Sequence, residues 1–174
     1  VEAVAGAIER DLGGAPSVVI HNAVGGAFGS FLDIKPEVLN HNFQVNTMGL
    51  LYLAQRFAPA MIKAGKGALM VTGNTSALRG RAAFAGFAPT KAAQRILAEA
   101  IARDLAPKGV HVAYFVIDAV IDVPWARERF KDKPVIVSCA TDNRSGSAAS
   151  VLRKHGFTNV VNLAGGVAAW QQAG

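Results

Sequence analysis

The single cysteine of the chain, Cys139, lies where a thiol could act as a nucleophile. It follows an apolar, β-branched run, and the loop that begins with it passes through Asp142 to Arg144 and Ser145 before a predicted helix. Loop N–H groups, the helix N-terminus and the Arg144 guanidinium would lower the pKa of the thiol, whereas the Asp142 carboxylate would raise it. A cysteine after a strand is also often a small buried apolar residue, so both interpretations stay open.

A second group of residues that could bind a ligand lies in the first part of the chain. Asn22 and Ala23 follow a predicted strand, where open parallel sheets bind ligands. Asn46 lies within a long apolar-periodic segment, where its amide could hold a water or brace a neighbouring backbone carbonyl. Phe87 and Lys91 are four residues apart and share one face of a predicted helix. Each signal alone is more typical of turn residues and solvated helix faces.

Strands and helices are predicted to alternate along the chain. The predicted strands are 17–21, 68–71, 110–117, 134–138 and 159–163, and the predicted helices are 2–12, 36–64, 86–106, 146–155 and 166–170. This alternation indicates βαβ units with right-handed crossovers. We therefore expect an α/β fold of three layers, with a mostly parallel five-stranded sheet and helices on both faces.

A charged, proline-containing seam at residues 124–134 marks the predicted boundary between two parts, 1–130 and 131–174, that share one sheet. Of the 174 residues 51% are hydrophobic and 17% are charged, which excludes a disordered chain. No segment approaches the roughly 20 apolar residues of a membrane span. The net charge of +6 is spread along the chain, so nucleic-acid binding is not expected.

Three further expectations concern the setting of the protein. The four histidines show no metal-ligand spacing with one another or with Cys139, so no metal site is expected. A single cysteine and an opening without a signal-peptide pattern favour a trimmed or internal fragment in the cytoplasm. The high apolar content predicts a homo-oligomer, most simply a dimer packed through the helices at 36–64 and 86–106.

Residues 1–130 resemble the short-chain dehydrogenase/reductase family. The matching segments are HNAVGG at 21–26 for its Asn-Asn-Ala-Gly turn, FQVNTMG at 43–49 for its active-site Asn segment, VTGNTSALRG at 71–80 for its Ser-bearing strand, and FAPTK at 87–91 for its Tyr-x-x-x-Lys. The resemblance implies a Rossmann-like fold. It also implies a vestigial reductase site at Asn46, Ser76, Phe87 and Lys91, and vestigial cofactor contacts at Asn22 and Ala23.

Two departures from the family pattern bear on the cofactor. The family's glycine-rich phosphate turn precedes the segments that match here, and Phe87 has no ionisable proton where the family has Tyr. We therefore expect no cofactor: NAD(P)H should not bind at submillimolar concentration, and dehydrogenase activity is not expected.

Residues 131–174 resemble the C-terminal half of a rhodanese, the thiosulfate sulfurtransferase module. The matching segments are the loop from Cys139 to Arg144 and Ser145, HGFTNV at 155–160 and LAGGVAAW at 163–170. The resemblance implies that Cys139 takes sulfane sulfur as a persulfide and passes it to a thiophilic acceptor. Arg144 and the N–H groups of 140–144 would then hold a small anionic sulfur donor.

The sequence thus predicts a chimera of a truncated reductase and a rhodanese fragment, with at most weak sulfur transfer at Cys139. Two alternatives remain open. The chain could be a non-catalytic α/β chimera, engineered or recombined, that folds and oligomerises. It could also retain residual NAD(P)-dependent oxidoreductase activity.

Overall fold

The computed structural model describes residues 2–117, 124–130, 133–139 and 141–173. In chain order its elements are α1 (Glu2–Leu12), β1 (Val18–His21), α2 (Pro36–Phe43), α3 (Gly49–Ala64), β2 (Gly67–Gly73), α4 (Ala88–Leu105), β3 (Val110–Val116), α5 (Pro124–Phe130), β4 (Val135–Val137), α6 (Asn143–Lys154), β5 (Val160–Asn162) and α7 (Gly166–Gln172). A π-helical turn, Gln44–Met48, joins α2 to α3, and 3₁₀ turns occur at Thr75–Ala77 and Ala106–Lys108.

The strands pair in parallel, which confirms the α/β class. One sheet has the order β1-β2-β3, in which Leu69 of β2 pairs with Val19 on one side and Val112 on the other. A second sheet pairs β4 with β5, with Val135 opposite Val160. The described strands therefore form a three-stranded and a two-stranded sheet, where the sequence analysis expects one sheet of five. Hydrophobic patterning predicts strands but does not specify which of them share hydrogen bonds.

The chain divides into two compact units, residues 1–118 and 119–174. The predicted boundary at residue 130 coincides with the end of α5 and stays a prediction. Helix α5 lies within the charged seam at 124–134, whose sequence does not predict a helix. It begins at Pro124, a residue that suits the first helical turn.

The core of the first unit forms where α3 and α4 cover its sheet. Helix α3 buries Leu50, Ala54, Phe57 and Met61, whose spacing of four, three and four residues keeps them on one face. Burial of that apolar face against β2 and β3 stabilises the unit far more than helix propensity does. The predicted helix at 36–64 is continuous as expected, except that its middle turn is π-helical.

Over the described ranges, none of the helices combines the length and the apolar character that crossing a bilayer requires.

Candidate functional site

The sulfur of Cys139 accepts two hydrogen bonds at the end of β4. The backbone N–H of Asp142 donates to Sγ over 3.1 Å, and the Ser145 hydroxyl donates over 3.4 Å. That hydroxyl also lies 3.0 Å from the Asp142 carbonyl oxygen, so its one proton is shared between two acceptors. The thiol is partly exposed, and α6 begins four residues further along the chain, at Asn143. Both donors favour the thiolate form of the sulfur.

The backbone of Cys139 is held by the start of α7. The Cys139 carbonyl oxygen accepts a hydrogen bond of 2.8 Å from the N–H of Val167, at the start of α7. Asp142 adopts a φ of +89°, in the left-handed region that glycine favours. The loop therefore has a glycine-like turn at a position where the chain carries Asp142. The backbone strain at this position is of order 1–3 kcal/mol.

The Asp142 carboxylate has a partner that the sequence analysis missed. Asn162 Nδ2, at the end of β5, donates a short hydrogen bond to Asp142 Oδ1. This contact follows from the pairing of β4 with β5, because parallel neighbouring strands end at the same edge of their sheet. The other amide atom, Asn162 Oδ1, is buried and has no hydrogen-bond partner among the described residues.

Arg144 lies in the first turn of α6, and its side chain is outside the described part of the structure. Residue 140 of the loop is also outside the described residues. The predicted anion-holding roles of Arg144 and of the N–H groups of 140–144 therefore stay predictions.

In the first unit, Asn46 joins the loop after β1 to helix α4. Its Oδ1 accepts from the N–H of Gly25 at 2.9 Å, and its Nδ2 donates to the Gly25 carbonyl at 2.8 Å and to Thr90 Oγ1 at 2.7 Å. Asn42 donates from the preceding turn to the Gly86 carbonyl over 2.8 Å. Gly25 is required here, because a Cβ at this position would lie 2.7 Å from Asn42 Oδ1. The predicted bracing role of the Asn46 amide thus corresponds to three specific contacts.

Lys91 is buried beside Asn46, and Gln94 connects the two. Lys91 Nζ donates to the Thr72 carbonyl at 2.9 Å and to Gln94 Oε1 at 2.5 Å. Gln94 Nε2 in turn donates to the Asn46 carbonyl at 2.7 Å and lies 3.1 Å from Nδ1 of His21. The sequence pattern does not predict that Gln94 and His21 belong to this network. The signal for Gln94 was its position three residues after Lys91, on the same helix face.

Burial of this network shifts the protonation of its basic groups. Lys91 is only 2% exposed, and loss of solvation lowers its pKa from 10.5 to about 8. The pKa of His21 is lowered from 6.5, chiefly by burial and further by the charge of Lys91. Burial raises the pKa of Tyr114 to about 12. No carboxylate is hydrogen bonded to the Lys91 ammonium within the described part of the chain.

Two of the remaining predicted residues contact partners of this network, since the Phe87 carbonyl accepts from Thr90 Oγ1 at 2.8 Å and Asn22 accepts from Thr72. Phe87 precedes α4 and is 5% exposed, and its ring centroid lies 5.5 Å from that of Phe28 and 6.5 Å from that of Phe84. Ser76 lies in the 3₁₀ turn after β2, where its N–H donates to Asn74 Oδ1 at 3.1 Å. Asn22 and Ala23 are both exposed, and Asn22 Oδ1 accepts a 2.8 Å hydrogen bond from the hydroxyl of Thr72.

The buried ammonium gives a pH prediction. Between pH 8 and 10 the unfolded chain binds a proton at Lys91 that the folded chain has lost, so the free energy of unfolding should rise with pH, by about 2 kcal/mol. Urea unfolding at stepped pH would measure this rise. Lys91→Met should flatten it, whereas Lys63→Met, at an exposed position, should leave it unchanged. The same rise in Lys91→Met would contradict the assignment.

The fold and the two sites together define an α/β protein with a reductase-type sheet and a separate cysteine-bearing loop. The chain belongs to the short-chain dehydrogenase family, whose model matches residues 1–134. The model of the rhodanese-like domain matches residues 108–173, so the two-part character predicted from the sequence is confirmed.

Individual relatives agree with this assignment. The chain is 31% identical over 112 residues to human (Homo sapiens) 17-beta-hydroxysteroid dehydrogenase type 1. The aligned region covers 64% of this chain and 34% of that protein. It is 51% identical over 39 residues to YqhL of Bacillus subtilis, over 22% of this chain and 31% of that one. The chain spans less than half the length of the curated dehydrogenases that it matches.

Among solved structures, sorbitol-6-phosphate 2-dehydrogenase SrlD from Erwinia amylovora superposes with a TM-score of 0.66 at 18% identity. The match covers 95% of this chain and 73% of that one. At this level of identity the similarity shows the fold alone.

The residues at the family's reactive positions do not fit carbonyl reduction with a dinucleotide. Phe87 offers no proton, and its ring is packed among the aromatic side chains of Phe28 and Phe84. The Lys91 ammonium is buried and already donates to Thr72 and Gln94. In the described part of this site, Asn46 and Lys91 brace the loop after β1 and the end of β2 against α4.

Proposed function

We propose that this protein transfers sulfane sulfur through Cys139. The observation that carries the proposal is the pair of hydrogen bonds to Sγ, from the Asp142 N–H and the Ser145 hydroxyl, in the loop that precedes α6. A partly exposed thiolate that accepts hydrogen bonds from its loop is suited to nucleophilic attack. The match of residues 108–173 to the rhodanese-like domain supports the same chemistry. A thiol needed in this form favours a reducing compartment, and we propose the cytoplasm.

The reaction proceeds in two displacements at sulfur. The Cys139 thiolate attacks the outer sulfur of thiosulfate, the new S–S bond forms a persulfide, and sulfite leaves with the electron pair of the broken S–S bond. Cyanide or another thiophile then attacks the outer persulfide sulfur. Thiocyanate leaves, the electron pair returns to Cys139, and the thiolate is restored. No external oxidant or reductant is required.

Mass spectrometry of the intact chain after incubation with thiosulfate tests the first displacement. We expect the mass to increase by one sulfur atom, with the sulfur assigned to the peptide that contains Cys139, and cyanide should remove it. The Cys139→Ala variant should gain no sulfur. A wild-type chain that gains no sulfur while it remains folded would refute the proposal and would favour the non-catalytic chimera.

Alkylation measures how the loop activates the thiol. Iodoacetamide at pH 7 should alkylate Cys139 faster than a free thiol, because both hydrogen-bond donors favour the thiolate. Arg144→Ala should slow the reaction and Asp142→Gly should quicken it, each severalfold. Asp142→Asn separates charge from strain, since it removes the carboxylate while asparagine tolerates a positive φ. Alkylation only after denaturation would show that the thiol is a core residue.

We further propose a homodimer packed through α2–α3 and α4. Several large apolar side chains on these helices are exposed, among them Tyr52, Ile62 and Ile96. Light scattering at micromolar concentration should give twice the mass of the chain, and Ile96→Glu should shift it toward the monomer. Trp170→Glu, which removes an exposed apolar residue from the other unit, should leave the mass of the dimer unchanged. A monomeric wild-type chain would contradict the proposal.

A further inference from the structure

The Asp142 carboxylate is the acidic group of the loop that carries Cys139, and its position bears on the thiol. The backbone N–H that donates to Sγ over 3.1 Å belongs to the same residue, so this donor and the carboxylate share one Cα. Rotation about the Cα–Cβ bond of Asp142 therefore decides how near the carboxylate comes to the sulfur. A carboxylate close to Sγ would disfavour the thiolate, because two negative charges repel each other.

The main chain of Asp142 is held by the first turn of α6. Its carbonyl oxygen accepts hydrogen bonds of 2.8 Å from the N–H of Gly146 and of 3.0 Å from the hydroxyl of Ser145. With φ at +89°, the backbone held in this way directs the Asp142 N–H at Sγ. These contacts do not fix the side chain, so the position of the carboxylate depends on a partner of its own.

Asn162 contacts the carboxylate from the end of β5. Its Nδ2 donates a short hydrogen bond to Asp142 Oδ1, across 20 positions of the chain. The pairing of Asn162 with Val137, two residues before Cys139, brings it to the sheet edge at which the loop begins. The amide also lies against α6, since a Cβ at Gly146 would be 3.8 Å from Nδ2. The strand and the helix thus fix the donor beside the carboxylate.

The Asn162 amide is oriented toward the carboxylate although its own oxygen then lacks a partner. Asn162 Oδ1 is buried and accepts no hydrogen bond from the residues that the structure describes. The flipped amide would place this oxygen against Asp142 Oδ1, where two acceptors repel each other. Stability alone does not account for this arrangement, because an unsatisfied buried acceptor destabilises a fold.

We propose that Asn162 is a positioning residue for sulfur transfer, which holds the Asp142 carboxylate toward β5 while the Asp142 N–H stays directed at Sγ. The inference rests on the proposed function, because it concerns the thiolate of Cys139 that attacks the sulfur donor. The amide acts in two ways, since it fixes the carboxylate and its hydrogens offset part of the negative charge. Without Asn162, the carboxylate is free to turn toward the thiolate and disfavours it.

The pH dependence of alkylation by iodoacetamide tests this role in the full chain. In Asn162→Ala the midpoint of the pH profile should rise by about half a unit to one unit, so the rate at pH 7 should fall about three- to tenfold. The limiting rate at high pH should stay unchanged, because the thiolate is then fully formed. Asn159→Ala makes the same replacement at an exposed position just before β5 and should leave the midpoint unchanged. A wild-type midpoint in Asn162→Ala would overturn the proposal.

A second replacement separates positioning of the carboxylate from a purely structural role. In Asp142→Gly no carboxylate is left to hold, and glycine adopts the positive φ of this turn. Asn162→Ala in that background should change the midpoint by less than about 0.2 units. An equal rise of the midpoint with and without the carboxylate would show that Asn162 acts only on the structure of the loop, which refutes the positioning role.

Two further measurements keep the test decisive. If Asn162→Ala does not fold, Asn162→Asp keeps the shape of the side chain but replaces the donor by a second carboxylate. It should raise the midpoint, and an unchanged midpoint would refute the proposal. Sulfur uptake from thiosulfate is measured on the wild-type chain in parallel. No uptake refutes the proposed function whatever the midpoints are, whereas uptake together with an equal rise in both backgrounds refutes the role of Asn162 alone.

Discussion

Replacement of Cys139 by serine is expected to reduce sulfur transfer from thiosulfate to cyanide by at least about a thousandfold. A serine oxygen in this loop would keep both hydrogen-bond donors, from Asp142 and Ser145, but it cannot form the S–S bond on which both displacements depend. Thiocyanate formation, followed by its coloured complex with ferric ion, measures the rate. The variant changes one atom and should retain the stability of the wild-type chain.

A variant of Ser145 distinguishes the nucleophile, Cys139, from a residue that donates a hydrogen bond to it. Ser145→Ala removes one donor to Sγ and should slow the reaction about tenfold while persulfide formation continues. If Cys139→Ser retained the wild-type rate, the activity would belong to another protein in the sample, and sulfur transfer would no longer be assigned to this chain.

Replacement of Asn46 by alanine is expected to lower the free energy of unfolding by about 3 kcal/mol. The side chain is fully buried, and its amide makes three hydrogen bonds, two to the backbone of Gly25 and one to Thr90. Alanine would leave these groups without partners, and an unsatisfied buried polar group costs roughly 1–3 kcal/mol. Urea unfolding followed by circular dichroism measures the loss.

The exposed Asn40, on α2, supplies the control for this experiment. Asn40→Ala should change the free energy of unfolding by less than about 0.5 kcal/mol. Hydrogen exchange should also show that the N–H of Gly25 loses protection in Asn46→Ala, since its acceptor is gone. A loss of stability below about 1 kcal/mol would show that the amide contributes little to the brace.

Local pattern was sufficient for every helix and strand except α5, and for the position of Cys139 between a strand and a helix. The spacing of Leu50, Phe57 and Met61 predicts the buried face of α3, because periodic burial on a helix follows directly from 3.6 residues per turn. The strand before Cys139 and the helix after it follow from a β-branched run and a change of periodicity. The α/β class could be predicted for the same reason, since it depends on the order of elements along the chain.

Tertiary structure decided the partners of the site residues. The contact of Asn46 with Thr90 spans 44 positions, and that of Gln94 with His21 spans 73, distances over which hydropathy carries no information about pairing. The pairing of Asn162 with Asp142, likewise, depends on two strands ending at one sheet edge. The sequence by itself determined that Cys139 follows a strand and that Lys91 lies near the start of a helix. Which polar groups surround them was decided by packing, because buried donors and acceptors must find partners wherever the folded chain brings them together.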